Sequence, residues 1–161
     1  MGNHTMFVIG AAVIFFTAVL SLNRALVSNY NLITKNTMLL TSTSIAQEII
    51  EEAQGKLFDE SLSTDASPDI PVCFTAPESL GTESGESYPL FDDVDDYNEL
   101  IKIVNTLSGK CSLSVKVGYV DSLNINQWIN EKGFYKKMEV NVSNDANPHD
   151  VKLELLFCYF K

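Results

Sequence analysis

The chain has 161 residues and a formal charge of −10, from 11 Lys/Arg against 21 Asp/Glu, and its length suits one domain of ordinary size. That balance excludes a nucleic-acid binder working through a basic surface, and docking on anionic lipid by a polybasic patch. Two histidines and three cysteines leave little for a His-built metal or catalytic site, and too little for a disulfide-built scaffold. The acids are unevenly placed: none precedes Glu48, and the first 47 residues carry only Arg24 and Lys35 as bases.

Met6 to Leu22 is a run of 17 residues without a formal charge. This is the lower edge of what spans a hydrocarbon core, and Arg24 can snorkel so that the span extends through Val27. Phe7, Ile9, Gly10, Ile14, Phe15 and Leu20 are its expected contacts with lipid or neighbouring helices. Gly10, Ala11 and Ala12 are small enough for close helix approach. A secretory signal peptide is the rival reading, but no Lys or Arg precedes the run.

No proline occurs between Met6 and Phe58, and good helix formers dominate Ser44 to Leu57. Ile45, Ile49 and Ala53 recur at spacing four, with Glu48, Glu51 and Glu52 largely opposite. One helix over residues 5–56 is therefore predicted, about 75 Å long at the usual rise. The alternative is a break near Ser28-Asn29-Tyr30-Asn31. Division of the chain follows as 1–28 membrane helix, 29–58 stalk, 59–110 irregular connection and 111–161 sheet.

From Gly55 to Gly85 the chain is rich in Ser, Thr, Asp, Gly and Pro, with one short strand expected around Ile70 to Thr75. Asp95 or Asp96 is expected to cap a short helix carrying Leu100, Ile101, Ile103, Val104 and Leu107. Three runs then alternate with period two: 111–120, 134–143 and 151–160. Each has one apolar face, as in an antiparallel sheet covered on one side, and the long helix is the natural cover. The fold class expected is α+β, a long N-terminal helix packed on a C-terminal antiparallel sheet.

Asp92, Asp93, Asp95 and Asp96 offer oxygens to Ca²⁺, although Asp-Asp-Val-Asp-Asp lacks the alternating ligands and terminal Glu of a calcium loop. A helix cap with turn hydrogen bonds is the alternative. Cys73, Cys111 and Cys158 allow one disulfide. Cys73–Cys111 would tack the irregular region to the sheet, and three buried thiols is the alternative. Trp128, in a polar connection, either contacts a partner or folds back on the sheet edge. Catalysis finds no support: there is no HExxH, phosphate loop or CxxC, and Gly81-Thr82-Glu83-Ser84-Gly85 has glutamate where a nucleophile elbow has serine. The chain reads as a non-enzyme with no cofactor, calcium apart.

Two motifs carry a resemblance. Ser44-Ile45-Ala46-Gln47-Glu48-Ile49-Ile50-Glu51-Glu52-Ala53, leading to Leu57-Phe58-Asp59-Glu60, resembles the helix end of minor pilins. Gly85-Glu86-Ser87 with Phe91-Asp92-Asp93-Val94-Asp95-Asp96-Tyr97-Asn98 is similar to minor pilins of the mannose-sensitive haemagglutinin type. With the sheet, the resemblance to the type IV pilin and type II secretion pseudopilin superfamily covers most of residues 40–161. It departs at the N-terminus, since members carry a basic leader and a glutamate at the fifth mature position. It departs also at Glu99, where the motif often runs on into glycine.

The resemblance implies a structural subunit of a pilus or secretion filament, serving cell adhesion or protein transport. Its partners would be other pilin-like subunits, the inner-membrane assembly platform and the lipid bilayer, with no nucleic acid. It implies a single pass through the inner membrane, with the C-terminal domain periplasmic or in an extracellular filament. Related pseudopilins use calcium in their C-terminal region, which adds to the Asp92–Asp96 reading. A single-pass envelope protein that binds a partner without polymerising is the other expectation.

Overall fold

A computed structural model describes residues 2–62, 71–107, 109–145 and 147–159. It has one long α-helix, α1 (Gly2–Gln54), and four strands: β1 (Ile101–Thr106), β2 (Gly109–Tyr119), β3 (Tyr135–Asn144) and β4 (Asn147–Cys158). The class is α+β, as expected. Two compact units divide the chain, Met1–Met38 and Leu39–Lys161.

The four strands form an antiparallel meander in the order β1-β2-β3-β4. Alternation in β2 buries Cys111, Leu113, Val115, Val117 and Tyr119 and exposes Ser112, Ser114 and Lys116. In β3 the buried face carries Met138, Val140 and Val142, paired with Val117, Val115 and Leu113 of β2. These apolar side chains need a cover, and the last turns of α1 supply it with Ser42, Ala46, Ile49 and Ala53. Spacings of four, three and four put those residues on one helix face. Three of the four are small, so the helix axis can lie close to the sheet while Ile49 fills the space between. The stripe is centred one residue from the expected one: Ile45 is only partly buried, and Ala46 takes the central place.

Gly55 N–H and Lys56 N–H bond to the Glu52 and Ala53 carbonyls in a tightened last turn. The chain leaving the helix is then pinned to the loop before β1. Leu57 N–H donates to Asp92 O, Val94 N–H to Leu57 O, and Lys56 Nζ to Phe91 O.

Three expectations are corrected. The segment expected as a helix through Leu107 is strand β1. Asp95 begins only a three-residue 3-10 turn, Asp95–Tyr97, after which Glu99 at φ 63° ends any helix. Ile101, Ile103, Val104 and Thr106 are β-branched, and pairing with β2 outweighs the weak helical pattern. Strand β4 begins at Asn147 rather than Val151, because β3 and β4 pair down to Asn144 and Asn147. Of the strand expected near Ile70 to Thr75, Ile70 lies outside the described residues, and Pro71 to Phe74 forms a turn closed by Phe74 N–H to Pro71 O.

Candidate functional site

Three features of the chain are candidates for function: the N-terminal part of α1, the acidic loop before β1, and Trp128. In the unit Met1–Met38, α1 contains an 18-residue stretch apolar enough to cross a membrane, and none of that stretch is buried within the protein. Phe7, Ile9, Gly10, Ile14, Phe15 and Leu20 are all exposed on it. Its few hydroxyls are turned back onto the helix. Thr5, Thr17 and Ser21 donate to the carbonyls of Gly2, Ile14 and Thr17 at 2.8 Å. A hydroxyl satisfied in this way carries no open donor into lipid. A Cβ on Gly10 would meet nothing, so its missing side chain leaves a notch in the helix surface.

The acidic loop lies in the second unit. Asp93 Oδ1 accepts the N–H groups of Asp95 (2.9 Å) and Asp96 (3.2 Å), and Asp96 Oδ2 accepts those of Asp92 (3.1 Å) and Asp93 (3.3 Å). Two aspartates thus hold the turn reciprocally. Asp95 instead points to Lys136, whose Nζ lies 2.7 Å from Asp95 Oδ1 and 2.8 Å from Asp59 Oδ2 and donates to Phe58 O at 2.7 Å. All three ammonium N–H groups are used, and all three charged side chains are at most 1% exposed. The rings of Phe58 and Tyr119 face the same ammonium at 4.7 and 5.4 Å. Asp59 also accepts from Thr75 N–H and from the N–H and hydroxyl of Ser61, while Tyr119 gives its one proton to Thr75 O at 2.8 Å. Burial pushes the Asp59 carboxyl up, but the Lys136 charge and these hydrogen bonds hold it below its usual range. Asp93 is raised to about 8, by burial first and then by Asp95 beside it.

Of the four aspartates named as calcium candidates, Asp93 and Asp96 are committed to backbone N–H groups on one oxygen each, and Asp95 to a lysine. The structure instead brings Asp96 together with Glu83 and Glu86, one oxygen from each lying within 4.8 Å of the others. Glu83, although its side chain reaches solvent, is raised to about 7 by partial desolvation and by its hydrogen bonds to the Glu86 and Asp96 carboxyls; Glu86 is also raised, by desolvation and, against the pull of Glu83, by Asp96. Sequence reasoning singled out neither glutamate for this purpose. Their spacing of three, ten residues before Asp96, matches no cation loop pattern, and the turns between them decide the meeting.

Lys136 occupies the apolar register of β3 two residues before Met138, and no pattern in its neighbourhood of the chain marks it. A lysine there must bring its own counter-charges. Glu52, on the expected polar face of α1, accepts the hydroxyls of Tyr88 (3.1 Å) and Tyr97 (2.9 Å) and so ties the helix to the loop.

The expected Cys73–Cys111 disulfide is absent, and all three cysteines are free. Cys111 lies in the core beneath α1, its Sγ 3.3 Å from Asn144 Nδ2, whereas Cys73 stands beside Ser61. The two thiols face different neighbourhoods. Trp128 folds back onto its own sheet. It bridges to Val120, lies against Gly118, and takes Lys116 and Lys137 on its ring at 4.4 and 4.5 Å. No protein-family model matches the chain, and neither a curated protein nor a solved structure matches it.

Proposed function

We propose that this protein is a pilin-like structural subunit, anchored in the inner membrane by the first part of α1 and drawn into a type IV pilus or a type II secretion-type filament. The observation that carries the reading is the fully exposed apolar stretch of α1, a helix whose later turns cover an antiparallel sheet. An apolar helix surface of this size needs a solvent other than water. Lipid serves before assembly, and the same face, with Phe7, Ile14, Phe15 and the notch at Gly10, would pack against neighbouring helices in a filament core. The acidic domain would then lie on the outside, in the periplasm or the extracellular filament, and its role is structural rather than catalytic.

The lack of any acid before Glu48 removes the charge pairing that sets the stagger between identical pilin subunits. This favours a minor subunit at a tip or in an initiating complex, one that does not polymerise alone. The same observation supports the second reading, a single-pass envelope protein whose domain binds a partner. Expression without other pilin-like proteins, followed by electron microscopy of sheared material, is expected to yield no filaments. Co-expression with its assembly partners should allow co-purification. Long homopolymers would overturn the minor-subunit reading, and failure to co-purify with any pilin-like protein would favour the envelope protein. Protease added to spheroplasts should remove the C-terminal domain, and full protection would refute the topology.

A further inference from the structure

Lys136 holds an amine against two carboxyl groups in one dry place, and the filament reading makes no use of that chemistry. We propose that Lys136 and Asp95 condense into an intramolecular isopeptide bond, with Asp59 as the base and Asp93 as the acid. The ion pair between Lys136 and Asp95 is the state before reaction.

Proximity comes first. Lys136 Nζ stands 2.7 Å from Asp95 Oδ1, and the carboxyl carbon lies one bond beyond that oxygen. The two side chains are 0% and 1% exposed. A nucleophile and a carboxyl held at contact by the fold react without the entropy cost of meeting. The rings of Phe58 and Tyr119 lie over the same ammonium at 4.7 and 5.4 Å, so its surroundings are largely apolar. In such a place a neutral amide is favoured over two charges, because the attraction of a buried pair offsets its desolvation only in part.

The two aspartates on the lysine differ, and the difference assigns their roles. Asp59 accepts from Thr75 N–H and from the N–H and hydroxyl of Ser61 as well as from Lys136. Although burial pushes it up, these bonds and the lysine charge hold it below its usual range. A carboxylate kept ionised so firmly is a poor electrophile, and its part is to receive a proton from Nζ, 2.8 Å away. Asp95 Oδ2 is buried and accepts no N–H or hydroxyl; the Asp95 carboxyl instead shares a hydrogen bond with that of Asp93. Such a bond needs a proton between the two acids. Asp93, raised to about 8 by burial and by Asp95, holds that proton at neutral pH. Asp95 is therefore the carboxyl that can be protonated and lose an oxygen.

The protons and bonds balance within these four residues. One ammonium proton passes to Asp59, and Nζ attacks the Asp95 carboxyl carbon while Asp93 gives its proton to Asp95 Oδ2. The Nζ–Cγ bond forms. A second nitrogen proton joins Oδ2, the Cγ–Oδ2 bond breaks, and water leaves. Asp59 and Asp93 then hold one proton between them, as they did before. The third nitrogen proton stays on the amide, where Phe58 O, 2.7 Å from Nζ, accepts it. The bond would join points 41 residues apart and fix the start of β3 to the turn before β1, which restricts the unfolded chain as any long closed loop does.

The test uses the full chain, purified in detergent at neutral pH, then denatured, reduced and digested with trypsin. Cleavage after lysine releases residues 57–102, which contain both aspartates, and residues 133–137 around Lys136. Mass spectrometry is expected to find one branched peptide that joins the two segments, lighter than their sum by one water, with fragment ions placing the bond on Asp95. The two segments found apart overturn the proposal, and a bond on Asp59 overturns the choice of electrophile. Asp93→Asn keeps the acceptor oxygen and removes the proton, so a chain with the wild-type circular dichroism spectrum and no branched peptide is expected. A branched peptide as abundant as in wild type overturns the role of Asp93. The wild-type digest decides the bond itself whether or not that variant folds.

Discussion

Lys136 and Asp95, 41 residues apart in the chain, are joined by an ion pair of 2.7 Å with side chains 0% and 1% exposed. With Asp59 they tie three separate stretches together: the exit of α1, the turn before β1 and the start of β3. A buried pair of this kind is weak evidence for net stability, but breaking it is costly because the remaining charges stay buried. Lys136→Ala should lose about 3–5 kcal/mol of unfolding free energy. Adding Asp59→Asn and Asp95→Asn to Lys136→Met should recover much of that loss. Urea denaturation of the four proteins checks this, and a Lys136→Ala variant as stable as wild type would contradict the geometry.

The buried acids make stability depend on pH in opposite senses. Asp59 is held below its ordinary value, so its contribution is present above about pH 4 and is lost as pH falls through the folded value. Asp93, facing Asp95, Asp96 and Lys136, is raised to about 8. Its proton is bound more tightly in the folded state, so its contribution is full below about pH 4 and is lost as pH rises towards 8. Glu83, facing Glu86 and Asp96, acts the same way up to about 7. Stability should therefore fall between pH 5 and 8, by up to about 1.4 kcal/mol per pH unit for the extra proton that buried Asp93 holds, with a smaller, solvent-screened share from the exposed Glu83. Asp93→Asn keeps the acceptor oxygen and should flatten the decline. Denaturation curves across that window in the presence of a chelator decide it, and a rise in stability towards pH 8 would be the contrary result.

Gly118 is constrained by contact rather than by backbone conformation. A Cβ there would stand 2.9 Å from Cε3 and 3.0 Å from Cζ3 of Trp128. Gly118→Ala should push the indole off the sheet and away from Lys116 and Lys137, at a cost of about 1–3 kcal/mol. Trp128 is the chain's one tryptophan, so its fluorescence reports the displacement directly. An unchanged emission maximum would mean that the ring is not seated there.

Glu99 holds φ 63°, in the left-handed region that costs an ordinary residue roughly 1–2 kcal/mol. Its N–H is committed to Val115 O, so the backbone cannot relax freely. Glu99→Gly should be neutral or raise stability by up to about 1 kcal/mol, the gain being offset in part by the unfolded-state entropy of glycine. Thermal unfolding of the single variant measures it, and a clear loss would show that the Glu99 side chain contributes more than its backbone strain costs.

The long helix, the apolar stretch within it and strands β2, β3 and β4 were legible from residue order alone, because each rests on a periodicity carried by neighbours. Seventeen uncharged residues, a stretch without proline and alternation from Cys111 to Tyr119 are local facts; burial enforces the last of them, whereas the apolar stretch of α1 is exposed. Strand β1 was not legible. Leu100 to Leu107 suits a helix or a strand, and only the vacant edge of β2 chose between them.

The polar interior was beyond residue order for a related reason. Lys136 stands in an apolar register, and nothing nearby in the chain says that Asp59 and Asp95 will supply its counter-charges. Asp92, Asp93, Asp95 and Asp96 look alike in sequence, yet one pairs with lysine, two bond backbone amides, and Asp96 alone joins Glu83 and Glu86. Residue order allows Cys73 and Cys111 to meet, and packing keeps them apart. Apolar burial acts through average hydrophobicity and so shows in composition and period. The partner of a buried charge is set by one distance across the fold, and that distance exists only once helix, loop and sheet have closed on one another.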